Sequence, residues 1–264
     1  MAEAMTIDIG DIGANVQRVQ ERLVDAARRA GRREGEVLLV AVSKTVDLAR
    51  IRAAVAAGVP ALGENRVQEA KEKIGALGHP VPWHLIGHLQ TNKVRDAVAG
   101  FDVIQSVDRV PLAEAIAARA ARDGCTVDVL VQVNLGDEPQ KGGVAPADLR
   151  PALEAMTLLA GLRLRGLMTI PPWPKDPEES RPHYRELGKL LEVARGWGLG
   201  PQFRELSMGM SGDFEVGVEE GATIVRVGTA IFGTRPAGAP RLEGADSPGG
   251  APGTGGAASL AGGA

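Results

Sequence analysis

The chain has 264 residues with 30 basic and 33 acidic side chains, a formal net charge of −3, which supplies no positive field for a nucleic acid or an anionic membrane. Its single cysteine, Cys125, excludes an internal disulfide and a thiolate metal cluster. With no leader-like segment and no apolar run near the roughly 20 residues that span a bilayer, a soluble protein of the reducing cytoplasm is expected.

Residues 11–31 open at Asp11, carry Ile12, Val16, Val19, Leu23 and Ala27 at spacings of three and four, and stop at Gly31. That pattern predicts a capped amphipathic helix ahead of the first strand. Short apolar runs then alternate with helical patterns: VLLVAV at 37–42, ALGEN at 61–65, WHLIG at 83–87, DVIQSV at 102–107, VDVLVQVN at 127–134, LRLRGLM at 162–168, FREL at 203–206 and TIVRVG at 223–228. The first run lacks period-two alternation and reads as a strand covered on both faces. Helices fall between the runs, such as 47–57 closed by Gly58, and 109–123 with Pro111 in its first turn and Gly124 past its end.

Alternating βα units force parallel pairing, and eight of them predict an α/β fold, a single (β/α)8 barrel of the TIM type. An open doubly wound sheet is the alternative that counting leaves. The expected organisation is an N-terminal helix in 1–35, a barrel over 36–235 and a tail over 236–264. In that tail 21 of 29 residues are Gly, Ala or Pro. So little can be buried there that it is expected to be disordered. PPWPKDPEES at 171–180 reads as a proline-rich loop.

Chemistry on such a barrel gathers at the C-terminal ends of the strands. The residues there are Lys44, Glu64, Asn65, His88, Ser106, Asn134, Met168, Ser207, Arg226, Gly228 and Thr229. A strand-end lysine taken alone simply snorkels to water. The last two connections, ELSMGMSGD at 205–213 and VRVGTAIFG at 225–233, are rich in small residues and hydroxyls. Such loops let backbone N–H groups approach a phosphate, with a helix N-terminus behind them, although the same composition also permits plain tight turns. A lysine facing a phosphate pocket suits a Schiff base with a phosphorylated aldehyde; pyridoxal 5′-phosphate (PLP) and sugar phosphates both qualify. His84 and His88 are four apart, but Gly87 and the strand-like run break the helical geometry of a zinc pair, so no metal site is expected.

Seven stretches, in order and spacing, carry a resemblance: VAVSKT (40–45), GENRVQEA (63–70), WHLIGHLQTNK (83–93), QSVD (105–108), VNLGDEPQKGG (133–143), GLMTI (166–170) and LSMGMSGDFEVGVEEGATIVRVGTAIFG (206–233). The chain resembles the YggS/PROSC family of pyridoxal-phosphate homeostasis proteins, related in fold to the N-terminal domain of alanine racemase. The resemblance covers nearly all of 36–235. It implies that Lys44 holds PLP as a Schiff base, that Asn65 and Ser106 line the ring side, and that Met168 packs on the cofactor. Ser207, Ser211, Gly228 and Thr229 are implied to hold the phosphate. Arg226 is implied to face the pyridine nitrogen, where a guanidinium, which only donates, keeps that nitrogen unprotonated and weakens the ring as an electron sink. The plain alternative for Arg226 is an ion pair with Glu205 or Glu219. Lys93 and Lys141 read as surface lysines, with a secondary role toward PLP left open.

The function implied is a non-catalytic PLP carrier in intracellular cofactor homeostasis, expected as a monomer, with PLP-dependent apoenzymes as recipients. The enzyme alternatives are an amino-acid racemase or a Schiff-base aldolase on a sugar phosphate. A racemase of this fold needs a second acid/base, supplied in the resembling enzyme by a tyrosine from an additional β-domain of a partner subunit. Here only the glycine-rich tail follows the barrel, and the one tyrosine, Tyr184, falls in a helical stretch.

Overall fold

The computed structural model describes residues 9–136 and 142–233; the tail expected to be disordered, and Lys141, lie outside the described residues. Helix α1 (Ile9–Arg29) leads into eight βα units. These are β1 (Leu38–Val42) and α2 (Leu48–Ala56), β2 (Ala61–Glu64) and α3 (Val67–Leu77), β3 (Trp83–Leu85) and α4 (Val94–Gly100), and β4 (Val103–Val107) and α5 (Val110–Asp123). Then follow β5 (Val127–Gln132) and α6 (Leu149–Thr157), β6 (Leu162–Met168) and α7 (Arg181–Arg195), β7 (Glu205–Met210) and α8 (Phe214–Glu219), and β8 (Ile224–Val227) and α9 (Thr229–Phe232). Every strand pairs in parallel with its neighbours in sequence, and β8 closes on β1 with Leu38 opposite Ile224 and Ala41 opposite Val227. Closure removes the open-sheet alternative.

Strand β1 is apolar on both faces because each face has its own cover. Leu39, Ala41, Leu62, Leu85, Ile104, Val129 and Val131 belong to the large core beneath the helices, while Val40, Ala61, Leu130, Met168 and Ile224 form a smaller cluster inside the barrel. A residue run serving two cores cannot alternate apolar with polar.

Two sequence boundaries need correction. Helix α1 starts at Ile9, so Asp11 lies in its first turn rather than capping it, a placement that still sets a carboxylate against the positive helix end. Strand β7 begins at Glu205, two residues after Phe203, and runs through Ser207 and Gly209 to Met210, a stretch whose small residues had the look of a connection. The small residues are there for packing: a Cβ on Gly209, at φ +93°, would lie 2.9 Å from the Cα of Phe214, where α8 presses on the strand.

Helix α1 lies across the seam of the barrel, packed on α2, α8 and α9. It buries Ile12, Val16, Val19 and Leu23, each contributing about 1.5–3 kcal/mol. Arg22 pairs with Glu215 and Arg29 with Glu219, both at 3.0 Å and partly exposed. Such pairs contribute about 0–1 kcal/mol each, so the apolar face holds the helix and the pairs fix its register. The Asn15 amide adds a buried bond to the Ile231 carbonyl at 2.8 Å.

A candidate cofactor site at the C-terminal ends of the strands

Lys44 stands at the first turn beyond β1, half-buried. Just before it, strand alternation sets Val40 and Val42 against Gly63 on the inner face. Beside it, at the end of β2, Asn65 is half-buried, and Gly87 presses so close that a Cβ there would meet the Asn65 carbonyl at 2.4 Å. The Ser106 hydroxyl donates to the Gly87 carbonyl at 2.7 Å, so Asn65, Gly87 and Ser106 form one continuous wall across β2, β3 and β4. Met168 is fully buried in the inner cluster with Val40, Leu130 and Ile224.

On β8, the strand that adjoins β1 on its other side, Arg226 is buried, in register with Val40. Its Nη1 donates to Ser207 Oγ at 2.6 Å and its Nη2 to the Thr169 carbonyl at 2.8 Å. Burial pushes the guanidinium down to about 10, against the opposing pull of Tyr184 and Asp213, and it is still charged at neutral pH. The ion-pair alternative fails on the partners: Glu205 pairs with Arg165 and Arg204, and Glu219 with Arg29 and Arg181.

Beneath Arg226 runs a chain of side chains along the barrel interior. The Ser207 hydroxyl lies 2.5 Å from Gln105 Oε1, and Gln105 Nε2 lies 2.7 Å from His84 Nδ1. Both hydrogen-bonding roles of the Ser207 hydroxyl are thereby taken by side chains. His84 in turn lines a separate cavity of about 910 Å³ at the N-terminal ends of the strands, walled by Leu38, Val103, Leu130 and Ile224. That cavity lies at the end of the barrel opposite Lys44.

The two last loops meet at Ser211. Its hydroxyl oxygen accepts from the Gly228 amide at 3.0 Å and the Ala230 amide at 3.4 Å, and Thr229 is exposed beside them. The turn that carries Ser211 is pinned by Asp213, which accepts from the Met210 amide at 2.7 Å, the Ser180 hydroxyl at 2.7 Å and the Tyr184 hydroxyl at 2.8 Å. Burial, reinforced by the Asp213 carboxylate, pushes the Tyr184 phenol well above its usual range. Of the residues assigned to a phosphate, the structure groups Ser211 with Gly228 and joins Ser207 to Arg226 instead. Lys93 is exposed on the turn before α4, and His88 Nδ1 lies 3.0 Å from Asp108 Oδ2. Among the described residues no group of three or more His, Cys, Asp or Glu side chains could hold a metal ion.

A family profile described as alanine racemase, N-terminal domain, matches residues 7–236. The pyridoxal phosphate homeostasis protein of Aquifex aeolicus is 46% identical over 222 residues, 83% of this chain and 96% of that protein. This chain belongs to the family of pyridoxal phosphate homeostasis proteins. PipY from Synechococcus elongatus, solved with PLP bound, superposes with a TM-score of 0.72 at 40% identity, covering 81% of this chain and 100% of PipY. Alanine racemase from Corynebacterium glutamicum, at 17% identity, shares the fold with a TM-score of 0.70 over 90% of this chain and 65% of that one.

In this homeostasis-family barrel, Gln105 and Thr169, which hold Ser207 and Arg226, and His84 behind Gln105 are residues that reading strand ends alone passes over. A signal for the first and last existed. Each is a polar residue inside a run that reads as a strand, DVIQSV and WHLIG, and a buried polar side chain needs a partner. Thr169 contributes a backbone carbonyl, which leaves no trace in residue type.

Proposed function

We propose that this protein holds PLP covalently through Lys44 and serves intracellular PLP homeostasis without turning over a substrate of its own. The donor set fits the group: a half-buried amine, a hydroxyl joined to two loop amides, and a buried cation on the inner wall. The names of its relatives and the PLP in PipY support the same reading.

Lys44 would hold the group through its amine, at the aldehyde carbon. Ser211, Gly228 and Thr229 bind the phosphate; Asn65 and Ser106 wall the ring and Met168 packs on it. Ser207 serves the site by holding Arg226. Arg226 donates to the pyridine nitrogen and so keeps it unprotonated. When bound, PLP supplies an electron sink for a carbanion.

The observation that carries the non-catalytic reading is the buried Arg226 guanidinium, tied to Ser207 and Thr169, because a fixed donor at the ring nitrogen weakens that sink. Tyr184 offers no second base, since its hydroxyl is buried and given to Asp213. The protein acts as a monomer that passes PLP to PLP-dependent apoenzymes. The test is to load purified protein with PLP, transfer it to a PLP-dependent apoenzyme, and assay D- and L-amino acids for turnover. Reactivation of the apoenzyme without amino-acid turnover is expected; racemisation at an enzyme's rate would overturn the carrier reading.

A further inference from the structure

We propose that Lys73 and Glu69, backed by Glu64, are positioning residues for Lys44: they clamp the two peptide groups that flank it and hold a strained turn in place. The inference rests on the reading of Lys44 as the PLP lysine.

Lys73 projects from α3 toward the end of β1 and is almost wholly buried, an environment lysine enters only when paired. Its Nζ reaches the Ser43 carbonyl at 2.6 Å, Glu64 Oε1 at 2.7 Å and Glu69 Oε1 at 2.7 Å, which uses all three ammonium protons. Glu69 Oε1 also accepts from the Thr45 amide at 2.5 Å. The cluster therefore grips the carbonyl one residue before Lys44 and the amide one residue after it. The Ser43 hydroxyl, at 2.6 Å from Glu64 Oε1, ties the third member to the same turn.

The grip has something to oppose. Thr45 has φ +61°, the one non-glycine residue in the left-handed region among the described residues. For a β-branched side chain that conformation is strained and persists only where its surroundings impose it. Stability alone is a poor reason for the cluster. Removing charges from water is costly, and hydrophobic replacements often do as well. Glu64 Oε2 is moreover buried with no hydrogen-bond partner, a further cost. A simple tether between α3 and the barrel would have no need to converge on the peptides either side of one lysine.

Positioning and tethering differ in a double-mutant cycle. Glycine adopts the Thr45 conformation without strain, so Thr45→Gly removes the load that the clamp opposes. We would measure the rate of PLP attachment by visible absorbance in wild type, Glu69→Ala, Thr45→Gly and the double variant, with melting temperature as the fold check. Lys73→Met serves as a second probe of the clamp. Glu69→Ala should slow attachment about tenfold in the native background and threefold or less in the Thr45→Gly background, a coupling that contacting residues show. Equal losses in both backgrounds would overturn the proposal and leave a tether. Two measurements on the PLP-free protein keep the inference separate from the PLP reading: acetylation of Lys44 by acetic anhydride, followed by mass spectrometry, and hydrogen exchange of the Thr45 amide. If wild type takes up no PLP, the function fails. The clamp then stands if Glu69→Ala changes both measurements and falls if neither moves.

Discussion

Arg226 donates to the hydroxyl of Ser207 at 2.6 Å, and this contact sets the direction of every hydrogen bond beneath it. A guanidinium only donates, so Ser207 Oγ accepts there and spends its own proton on Gln105 Oε1. The Gln105 amide is then oriented with Nε2 toward His84, whose Nδ1 has to accept. His84 carries its proton on Nε2, at the edge of the ring away from Gln105.

The first prediction follows from that chain. Burial pushes His84 down to about 4 from an ordinary 6.5, so nitrogen NMR of the imidazole at pH 6 should show the neutral Nε2–H form. The folded value lies below the unfolded one, so protonation favours the unfolded chain. The contribution to stability is complete above about pH 6.5 and is lost as pH falls toward 4, up to about 3 kcal/mol. Denaturant unfolding at several pH values should show that slope, reduced in His84→Gln. A wild-type His84 that titrates near 6.5 would sink the directional chain.

Lys44→Ala should abolish the absorbance band of lysine-bound PLP and leave the melting temperature nearly unchanged, because the half-buried side chain adds little packing. Persistence of the band would place the attachment on another lysine.

Ser211→Ala removes the oxygen that gathers the Gly228 and Ala230 amides. Affinity for PLP should fall about tenfold, the equivalent of one good hydrogen bond to a charged group. Pyridoxal, which lacks the phosphate, should bind this variant as it binds wild type. Equal losses for both ligands would move the phosphate elsewhere.

Arg226→Glu places an acceptor where the guanidinium stands and favours a protonated ring nitrogen. At saturating PLP, exchange of the alanine α-proton in D₂O should rise about tenfold or more, a barrier lowered by about 1.4 kcal/mol. An unchanged rate in folded, PLP-loaded variant would mean that Arg226 only braces Ser207 and Thr169.

Strand positions were readable in the sequence because a strand buried on both faces leaves a run such as VLLVAV, which neither an amphipathic helix nor a strand with one face in water produces. Closure was not, since it depends on β8 meeting β1 from the far end of the barrel sequence and leaves no local mark. Lys44 stood out by lying at the end of such a run. The clamp around it did not: Lys73 sits at an ordinary spacing on an amphipathic helix, and its burial comes from where α3 packs. Ser207 shows the opposite failure. Its residue type suited a phosphate loop, and only its position inside β7 gave it to Arg226.

The seam between β8 and β1 also has a temporal side. A ribosome delivers Lys44 well before Arg226, so until β8 has been made β1 is an open sheet edge with hydrogen-bonding groups unpaired. Ser211 and Gly228 arrive with the same final strands, and α1 must wait for α8 and α9 before its apolar face has anything to cover. The barrel is thus completed only when the first helix and the last two strands come together, and a nascent chain released before β8 would carry Lys44 without Gly228 or the guanidinium on the adjoining strand.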